Sequence, residues 1–119
     1  MKTPSKRTQR VAELIQRTLA HLIQTECKDP RLPAWITISA VDVSADFSYA
    51  KVYFTVFQSD PNETLQALNS VSRFLRAQLA KTLTIRIVPE LQFVHDASLD
   101  YGRKMKSLID NAESSSENE

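Results

Sequence analysis

Basic side chains are the groups in this sequence best suited to binding a ligand. Binding to nucleic acid requires Lys and Arg side chains that converge on neighbouring phosphates. Arg73 and Arg76 are one helical turn apart, so both can contact adjacent phosphates. Any single basic cluster is equally well explained as the solvated face of a helix. The candidate phosphate-binding residues are Lys6, Arg7, Arg10, Lys28, Arg31, Arg73, Arg76, Lys81, Arg86, Arg103, Lys104 and Lys106.

Catalytic groups are few. His95 is followed by Asp96, and a His–Asp pair can act as an oriented general base. However, successive residues of a strand point to opposite faces, and no nucleophile motif, phosphate-binding loop or metal-ligand spacing accompanies the pair. His21 lies in the first predicted helix, with no partner that the sequence can show. The sequence therefore predicts no enzyme, no bound metal and no cofactor.

The single cysteine and the apolar runs indicate the compartment. Cys27 has no second cysteine to pair with, so an internal disulfide or a cysteine-based zinc site is excluded, and it is predicted to be a small buried hydrophobic residue. The longest apolar runs are a few residues, far too short to span a membrane. The N-terminus is charged and has no apolar stretch typical of a secretory signal. These features predict a cytoplasmic protein.

The charge is unevenly distributed along a chain whose length and composition suit one globular domain. The 119 residues are 42% hydrophobic and 24% charged, with a net charge of +1. Residues 110–119 contain four acidic residues and no basic one, which leaves 15 basic and 10 acidic residues, a net charge of +5, in residues 1–109. A modestly basic body with an acidic tail is compatible with local phosphate binding but does not require it.

The elements that must position these residues begin with a long helix. Ser5 is suited to cap a helix that starts at Lys6, and Pro30 disfavours helix at Asp29, so the helix is predicted to end near Lys28. One helical face is apolar. It consists of Val11, Leu14, Ile15, Thr18, Leu19, Leu22, Ile23 and Cys27.

Period-two alternation predicts three strands. The first two run from about Trp35 to Val43 and from Tyr49 to Phe57, and the short segment between them predicts an antiparallel hairpin. The third covers 86–96, with Pro89 at its entry or on an edge. The residues expected on one side of each strand are Ile36, Ile38 and Ala40; Val52, Phe54 and Val56; and Leu91, Phe93 and His95.

Two further helices complete the pattern. Asp60, Pro61 and Glu63 are typical of a helix start, with Asp60 as N-cap. Its buried stripe is Leu65, Leu68, Val71, Leu75 and Leu79, and a short connection at 82–84 leads into the third strand. Ser98 is predicted to cap the last helix, whose apolar contacts are Tyr101, Met105, Leu108 and Ile109. The order helix, strand, strand, helix, strand, helix predicts a two-layer α+β fold.

Several segments, in their order and spacing, resemble the ribosome-binding factor A family. They are Arg7-Thr-Gln-Arg-Val11, Lys28-Asp-Pro-Arg-Leu32, Ala50-Lys-Val-Tyr53, Phe74-Leu-Arg76 and Arg86-Ile-Val-Pro-Glu-Leu-Gln-Phe-Val-His-Asp96. The resemblance implies a type-II KH-like fold with a three-stranded mixed sheet. The expected organisation is a flexible N-terminus at 1–5, a single KH-like domain at 6–111, and an acidic disordered tail at 112–119.

The backbone-gripping loop of ordinary KH domains is missing. That loop has the sequence Gly-x-x-Gly, whereas this chain has one glycine, Gly102. The family replaces the loop with a helix-kink-helix around an Ala-x-Gly motif, and the aligned residues here are Ser70, Val71 and Ser72. Both small residues of the motif are serine, which can bend a helix by bonding to an upstream carbonyl. Asp29 is predicted to be structural, because its carboxylate can accept from nearby backbone amides.

The resemblance implies a non-enzymatic assembly factor. Its partners would be the free 30S ribosomal subunit and 16S rRNA, with other assembly factors as further partners. It would support late processing and maturation of 16S rRNA, especially in the cold, and would act as a monomer. The alternative is a protein–protein interaction module with an α+β fold, which the near-neutral net charge favours. An enzyme that uses His95 and Asp96 is the third hypothesis.

Overall fold

Three helices and three strands form the described part of the chain, residues 5–33 and 35–97, in a computed structural model. In chain order they are α1 (Lys6–Thr25), β1 (Ile36–Val43), β2 (Tyr49–Val56), α2 (Pro61–Ser70), α3 (Ser72–Thr82) and β3 (Glu90–His95). The predicted C-terminal helix with Arg103, Lys104 and Lys106, the acidic tail and residues 1–4 lie outside the described residues.

The sheet has the order β1-β2-β3 and is mixed. β1 and β2 form the predicted antiparallel hairpin, with Val41 opposite Val52. β2 and β3 are parallel, with Val52 opposite Phe93. A parallel pair needs a long crossover connection, which α2 and α3 supply. The α+β fold with a three-stranded mixed sheet is therefore confirmed.

The core lies between the sheet and the helices. Phe54 and Val52 of the central strand are fully buried, and so are Ile15 and Leu19 of α1. α1 packs on β1 and α3, whereas α2 and α3 both contact β3. Because every described helix contributes leucine or isoleucine to this one cluster, the two layers share a single core. The fully buried leucines of α2 and α3 are Leu68, Leu75 and Leu79.

Helix α1 begins as its sequence predicts but ends earlier. The Ser5 side chain accepts a hydrogen bond from the Thr8 backbone N–H at 3.2 Å, so the predicted N-cap is confirmed. The predicted helix end near Lys28 was wrong, because α1 ends at Thr25. Cys27 lies beyond the helix and is half-buried against the core. Leu14, placed on the buried face by its spacing, is 41% exposed. The buried face of α1 is therefore narrower than its apolar stripe.

Strand β1 contains a bulge that the alternation of its side chains does not reveal. Ile38 pairs with Phe54 and Ala40 pairs with Tyr53, so Ser39 is an extra residue. After the bulge, side chains lie on the face of the sheet opposite to the one that simple alternation predicts. Ala40 is therefore exposed, contrary to the predicted side shared with Ile36 and Ile38, and Val43 is buried in its place.

Strand β3 is shorter than predicted. Pro89 is buried and stands at its entry, as its missing N–H requires, and Leu91 and Phe93 face the core at 7% exposure each. However, Arg86 does not belong to the strand, because residues 86–87 bend and pairing begins at Glu90. The connection from α3 therefore covers 83–89 instead of three residues.

The helix predicted after Asp60 is divided in two. The Asp60 carboxylate accepts from the Asn62 N–H at 2.9 Å and caps α2, with Pro61 as first helical residue. Val71 interrupts the helix with φ −104° and ψ 7°, and α3 continues from Ser72. The Val71 N–H is shared between the carbonyls of Ala67 and Leu68. The interruption is thus a local change of ψ within a nearly continuous hydrogen-bond ladder.

Candidate nucleic-acid interface

Two adjacent grooves bring together arginines that are far apart in the sequence. The hairpin groove, of about 640 Å³, lies where the N-terminal turns of α1 meet the β1–β2 hairpin and the 83–89 connection. Its lining residues are Arg7, Val11, Phe47, Thr84, Ile85, Arg86 and Ile87. The α3 groove, of about 560 Å³, is lined by Arg73, Arg76, Ala77, Ala80, Arg86, Ile87 and Val88. Arg86 and Ile87 line both grooves, so Arg7, Arg73, Arg76 and Arg86 belong to one continuous basic surface.

Arg76 has a structural contact in addition to its place on this surface. Its Nε and Nη2 both donate to the Val88 carbonyl, at 3.2 and 3.0 Å. This fork fastens the 83–89 connection to α3 just before buried Pro89. Among the described residues, Arg73 and Arg86 have no hydrogen bond or ion pair, so their exposed guanidinium groups are available to a ligand.

The β1–β2 hairpin holds Phe47 in the hairpin groove. Phe47 has φ 59°, in the left-handed region that an aromatic residue rarely adopts. The Ser44 hydroxyl accepts from the N–H groups of Ser48 and Tyr49, both at 3.1 Å. The Asp46 carboxylate accepts from the Ser48 hydroxyl at 2.7 Å, and hydrogen bonds from Ser48 and Ser44 lower the pKa of Asp46. These hydrogen bonds stabilise the loop in the conformation that places Phe47 in the groove.

Arg31 is paired and lies beside the helix interruption. It forms an ion pair with Asp29 at 2.7 Å, and its Nη2 also donates to the Ser70 hydroxyl at 3.1 Å. The Arg31 N–H donates to the Asp29 carboxylate at 2.9 Å, so the structural role predicted for Asp29 is confirmed. The hydrogen bonds from the Arg31 side chain and backbone lower the pKa of Asp29 to about 2.

The serines on either side of Val71 both bond to the helix backbone. The Ser70 hydroxyl donates to the Ala67 carbonyl at 2.7 Å, and the Ser72 hydroxyl donates to the Asn69 carbonyl at 3.0 Å. Serine bonding of this kind competes with the helical ladder and favours a bend. Arg31 then ties the bent region to the loop after α1, which gives the interruption a fixed neighbour.

The other predicted cations are spread more widely. Lys6 and Arg10 are exposed on the first turns of α1, and Lys28 is exposed in the loop that follows it. Lys81 is exposed in the last turn of α3, where a cation also stabilises the helix dipole. None of these four lines either groove among the described residues. They add positive charge to the surface without lining the grooves.

The His95–Asp96 pair is part of the sheet edge. The His95 ring packs against the Phe54 ring, with centroids 5.6 Å apart and an interplanar angle of 54°. The Asp96 carboxylate accepts from the Ser39 hydroxyl at 2.9 Å, and the Asp96 N–H donates to the Phe54 carbonyl at 2.8 Å. In a hydrolytic triad the imidazole lies between serine and carboxylate. Here the serine bonds directly to the carboxylate and fastens the β1 bulge to the end of β3.

Within residues 5–33 and 35–97, no three His, Cys, Asp or Glu side chains come together in a way that could hold a metal ion. In the same part of the chain, no helix has the length and apolar character needed to cross a bilayer.

The sequence did not point to Phe47 or Ile87 as site residues. Both line the hairpin groove, and Ile87 is 53% exposed. One signal was available for Phe47: five residues connect the strands, and none of them is glycine or asparagine. A hairpin loop of this length commonly contains a residue with positive φ. Because this loop has no glycine or asparagine, a residue of another type must adopt that conformation.

The element order and the mixed sheet define a KH-like α+β domain, and the sequence has no Gly-x-x-Gly loop. A sequence profile of the ribosome-binding factor A family matches residues 7–109, and the chain belongs to that family. The ribosome-binding factor A of Legionella pneumophila strain Lens is 50% identical over 105 residues, which cover 88% of this chain and 85% of that protein.

Solved structures agree with this assignment. The crystal structure of ribosome-binding factor A from Thermus thermophilus superimposes with a TM-score of 0.68 at 34% identity, covering 74% of this chain and 93% of that one. Thermus thermophilus ribosome binding factor A as fitted into a cryo-electron microscopy map of a 30S complex has a TM-score of 0.61 at 35% identity. It covers 72% of this chain and 91% of that chain. The predicted KH-like class is therefore confirmed at the level of the fold.

Proposed function

We propose that this protein is a non-enzymatic assembly factor that binds the free 30S subunit through 16S rRNA. It supports late processing and maturation of that RNA, most strongly in the cold. The observation that carries the proposal is the shared arginine surface of the two grooves, on a fold whose Thermus relative was fitted into a 30S complex. The protein acts in the cytoplasm as a monomer, alongside other assembly factors.

The physical mechanism is electrostatic docking on folded RNA. Cations that neutralise phosphates release condensed counterions, so affinity falls as salt rises. Arg73 and Arg86 supply free guanidinium groups for this purpose, while Arg76 also fixes the connection that carries Arg86. Misfolded RNA helices rearrange slowly at low temperature, so a protein that stabilises the productive fold helps most there. The acidic residues of 112–119 reduce binding to unrelated RNA by competing for the basic surface.

The test is co-sedimentation with purified 30S subunits over a series of salt concentrations. Arg73→Gln and Arg86→Gln should each flatten the slope of log K against log salt by roughly 0.7–0.9, the value for one phosphate contact. Lys51→Gln is the matched control, because Lys51 is exposed on β2 while its neighbours Ala50 and Val52 face the core. The proposal would be contradicted if all three substitutions changed the salt slope equally, or if the protein did not bind 30S subunits saturably.

A protein-interaction module is the second candidate, favoured by exposed aromatic residues at one end of the hairpin. Trp35 is 75% exposed and Phe57 is 52% exposed, and both line a groove of about 440 Å³. Large aromatic residues are enriched at protein interfaces. This candidate predicts that Trp35→Ala abolishes binding while salt and Arg73→Gln change it little, in the same sedimentation assay.

A further inference from the structure

The hairpin groove combines features that phosphate binding alone does not need. A phosphate is satisfied by cations and N–H donors, yet Val11, Ile85 and Ile87 supply apolar walls, and Phe47 supplies an aromatic ring. Its volume of about 640 Å³ falls within the roughly 300–1,000 Å³ of pockets that hold small ligands. The groove therefore has space and surface for a flat apolar group in addition to charge.

Phe47 is held in this groove at a conformational cost. Its φ of 59° is unfavourable for a residue with a β-carbon, and the surrounding hydrogen bonds of Ser44 and Asp46 maintain it. The Arg7 guanidinium lies over the ring, 5.4 Å from its centroid. Arginine and aromatic side chains placed together are the two groups on which nucleobases stack.

We propose that the hairpin groove binds one unpaired nucleobase of single-stranded RNA, seated against the Arg7–Phe47 pair, Ile85 and Ile87, with a flanking phosphate on Arg86. This inference rests on the proposed function and names the RNA element that part of the basic surface binds. Paired bases in a duplex are stacked inside the helix, so their faces cannot enter such a groove. Arg86 continues into the α3 groove, so the strand leaves the base site along Arg73 and Arg76.

The experiment measures binding of a short labelled oligouridylate to the full chain by fluorescence anisotropy, with an RNA duplex of equal length for comparison. Phe47→Leu keeps an apolar side chain but removes the ring. It should weaken oligouridylate binding roughly tenfold, the size of a single base–aromatic stack. Duplex binding should change less than twofold. Phe74→Leu is the matched control, because Phe74 is 40% exposed and does not line either groove.

A second measurement does not depend on any variant. Thiouridine-substituted oligouridylate is photo-cross-linked to the unaltered protein, and the adduct should map to Phe47 or to residues 84–87. An adduct elsewhere, unchanged affinity of Phe47→Leu, or no binding of oligouridylate would each overturn the base site.

The base site and the proposed function can fail separately. If 30S subunits still co-sediment in a salt-dependent manner while the oligouridylate results are negative, only the base site is wrong. If 30S subunits do not bind at any salt concentration, the proposed function is wrong whatever the oligonucleotide results are.

Discussion

Arg76 should contribute to stability and to RNA binding, whereas Arg73 should contribute only to binding. The Arg76 side chain donates two hydrogen bonds to the Val88 carbonyl, at 3.2 and 3.0 Å, and holds the 83–89 connection on α3. Arg76→Ala removes both bonds and one positive charge. Arg73→Ala removes a charge from a side chain that has no such contact among the described residues.

The magnitude follows from the geometry and the exposure. A hydrogen bond to a charged group is worth roughly 1.5–3 kcal/mol when buried, and the exposure of Arg76 reduces this to about 1 kcal/mol. In a domain of this size, 1 kcal/mol changes Tm by roughly 4–8 °C. We expect Arg76→Ala to lower Tm by about that amount, and Arg73→Ala to change stability by less than about 0.5 kcal/mol.

Thermal unfolding by circular dichroism and 30S co-sedimentation on the same samples separate the two roles. Arg76→Lys keeps the charge but cannot reproduce the planar fork, so it should retain the salt slope and lose part of the stability. Both alanine variants should flatten the slope by roughly 0.7–0.9. The reasoning is refuted if Arg76→Ala and Arg76→Lys unfold at the temperature of the unaltered protein, or if Arg73→Ala is destabilised as much as Arg76→Ala.

Three further predictions concern other parts of the structure. The pKa of Asp29 is about 2, below the ordinary value of about 3.9, so its stabilising contact with Arg31 is present above about pH 4 and is lost as the pH falls toward 2. The Asp29→Asn variant should therefore lose less stability over this range than the unaltered protein, in acid unfolding monitored by fluorescence. Identical acid-unfolding profiles of the two proteins would contradict this prediction. Burial, together with the charges of Glu26 and Asp29, raises the pKa of Cys27, so iodoacetamide should alkylate it more slowly at pH 8 in the folded protein than in urea. Leu75→Ala creates a cavity at a fully buried position and should cost about 2–5 kcal/mol in urea unfolding, and a smaller loss would mean that the site collapses.

Local signals predicted the elements well where the chemistry is local. Ser5 and Asp60 cap their helices because, with the backbone of the cap residue extended, its side-chain oxygen reaches an orphan N–H two or three residues later. The alternation in β2 and β3 placed Val52, Phe54 and Phe93 in the core. The order of elements was enough to give the α+β class.

Predictions from the sequence were wrong where contacts between neighbouring elements override the local pattern of apolar and polar residues. The bulge at Ser39 moves Ala40 to the exposed face, and the Ser39 hydroxyl bonds to Asp96, 57 residues away. Leu14 lies on the apolar stripe of α1 by its spacing but is exposed, because burial of a helical residue depends on which elements pack against it. Arg86 lies outside β3 because the connection bends toward α3, where Arg76 holds the Val88 carbonyl.

The sequence by itself determined which residues are charged, which segments are helical or extended, and which family the chain resembles. Only the tertiary structure decided which cations share a surface. Arg7, Arg73 and Arg86 come from α1, α3 and the 83–89 connection, and their proximity depends on how these elements pack on one sheet. The same packing commits Arg31 to Asp29 and Ser70 instead of leaving it free. Residue type sets what a side chain can bind, but the position of the backbone in three dimensions sets which partners it can reach.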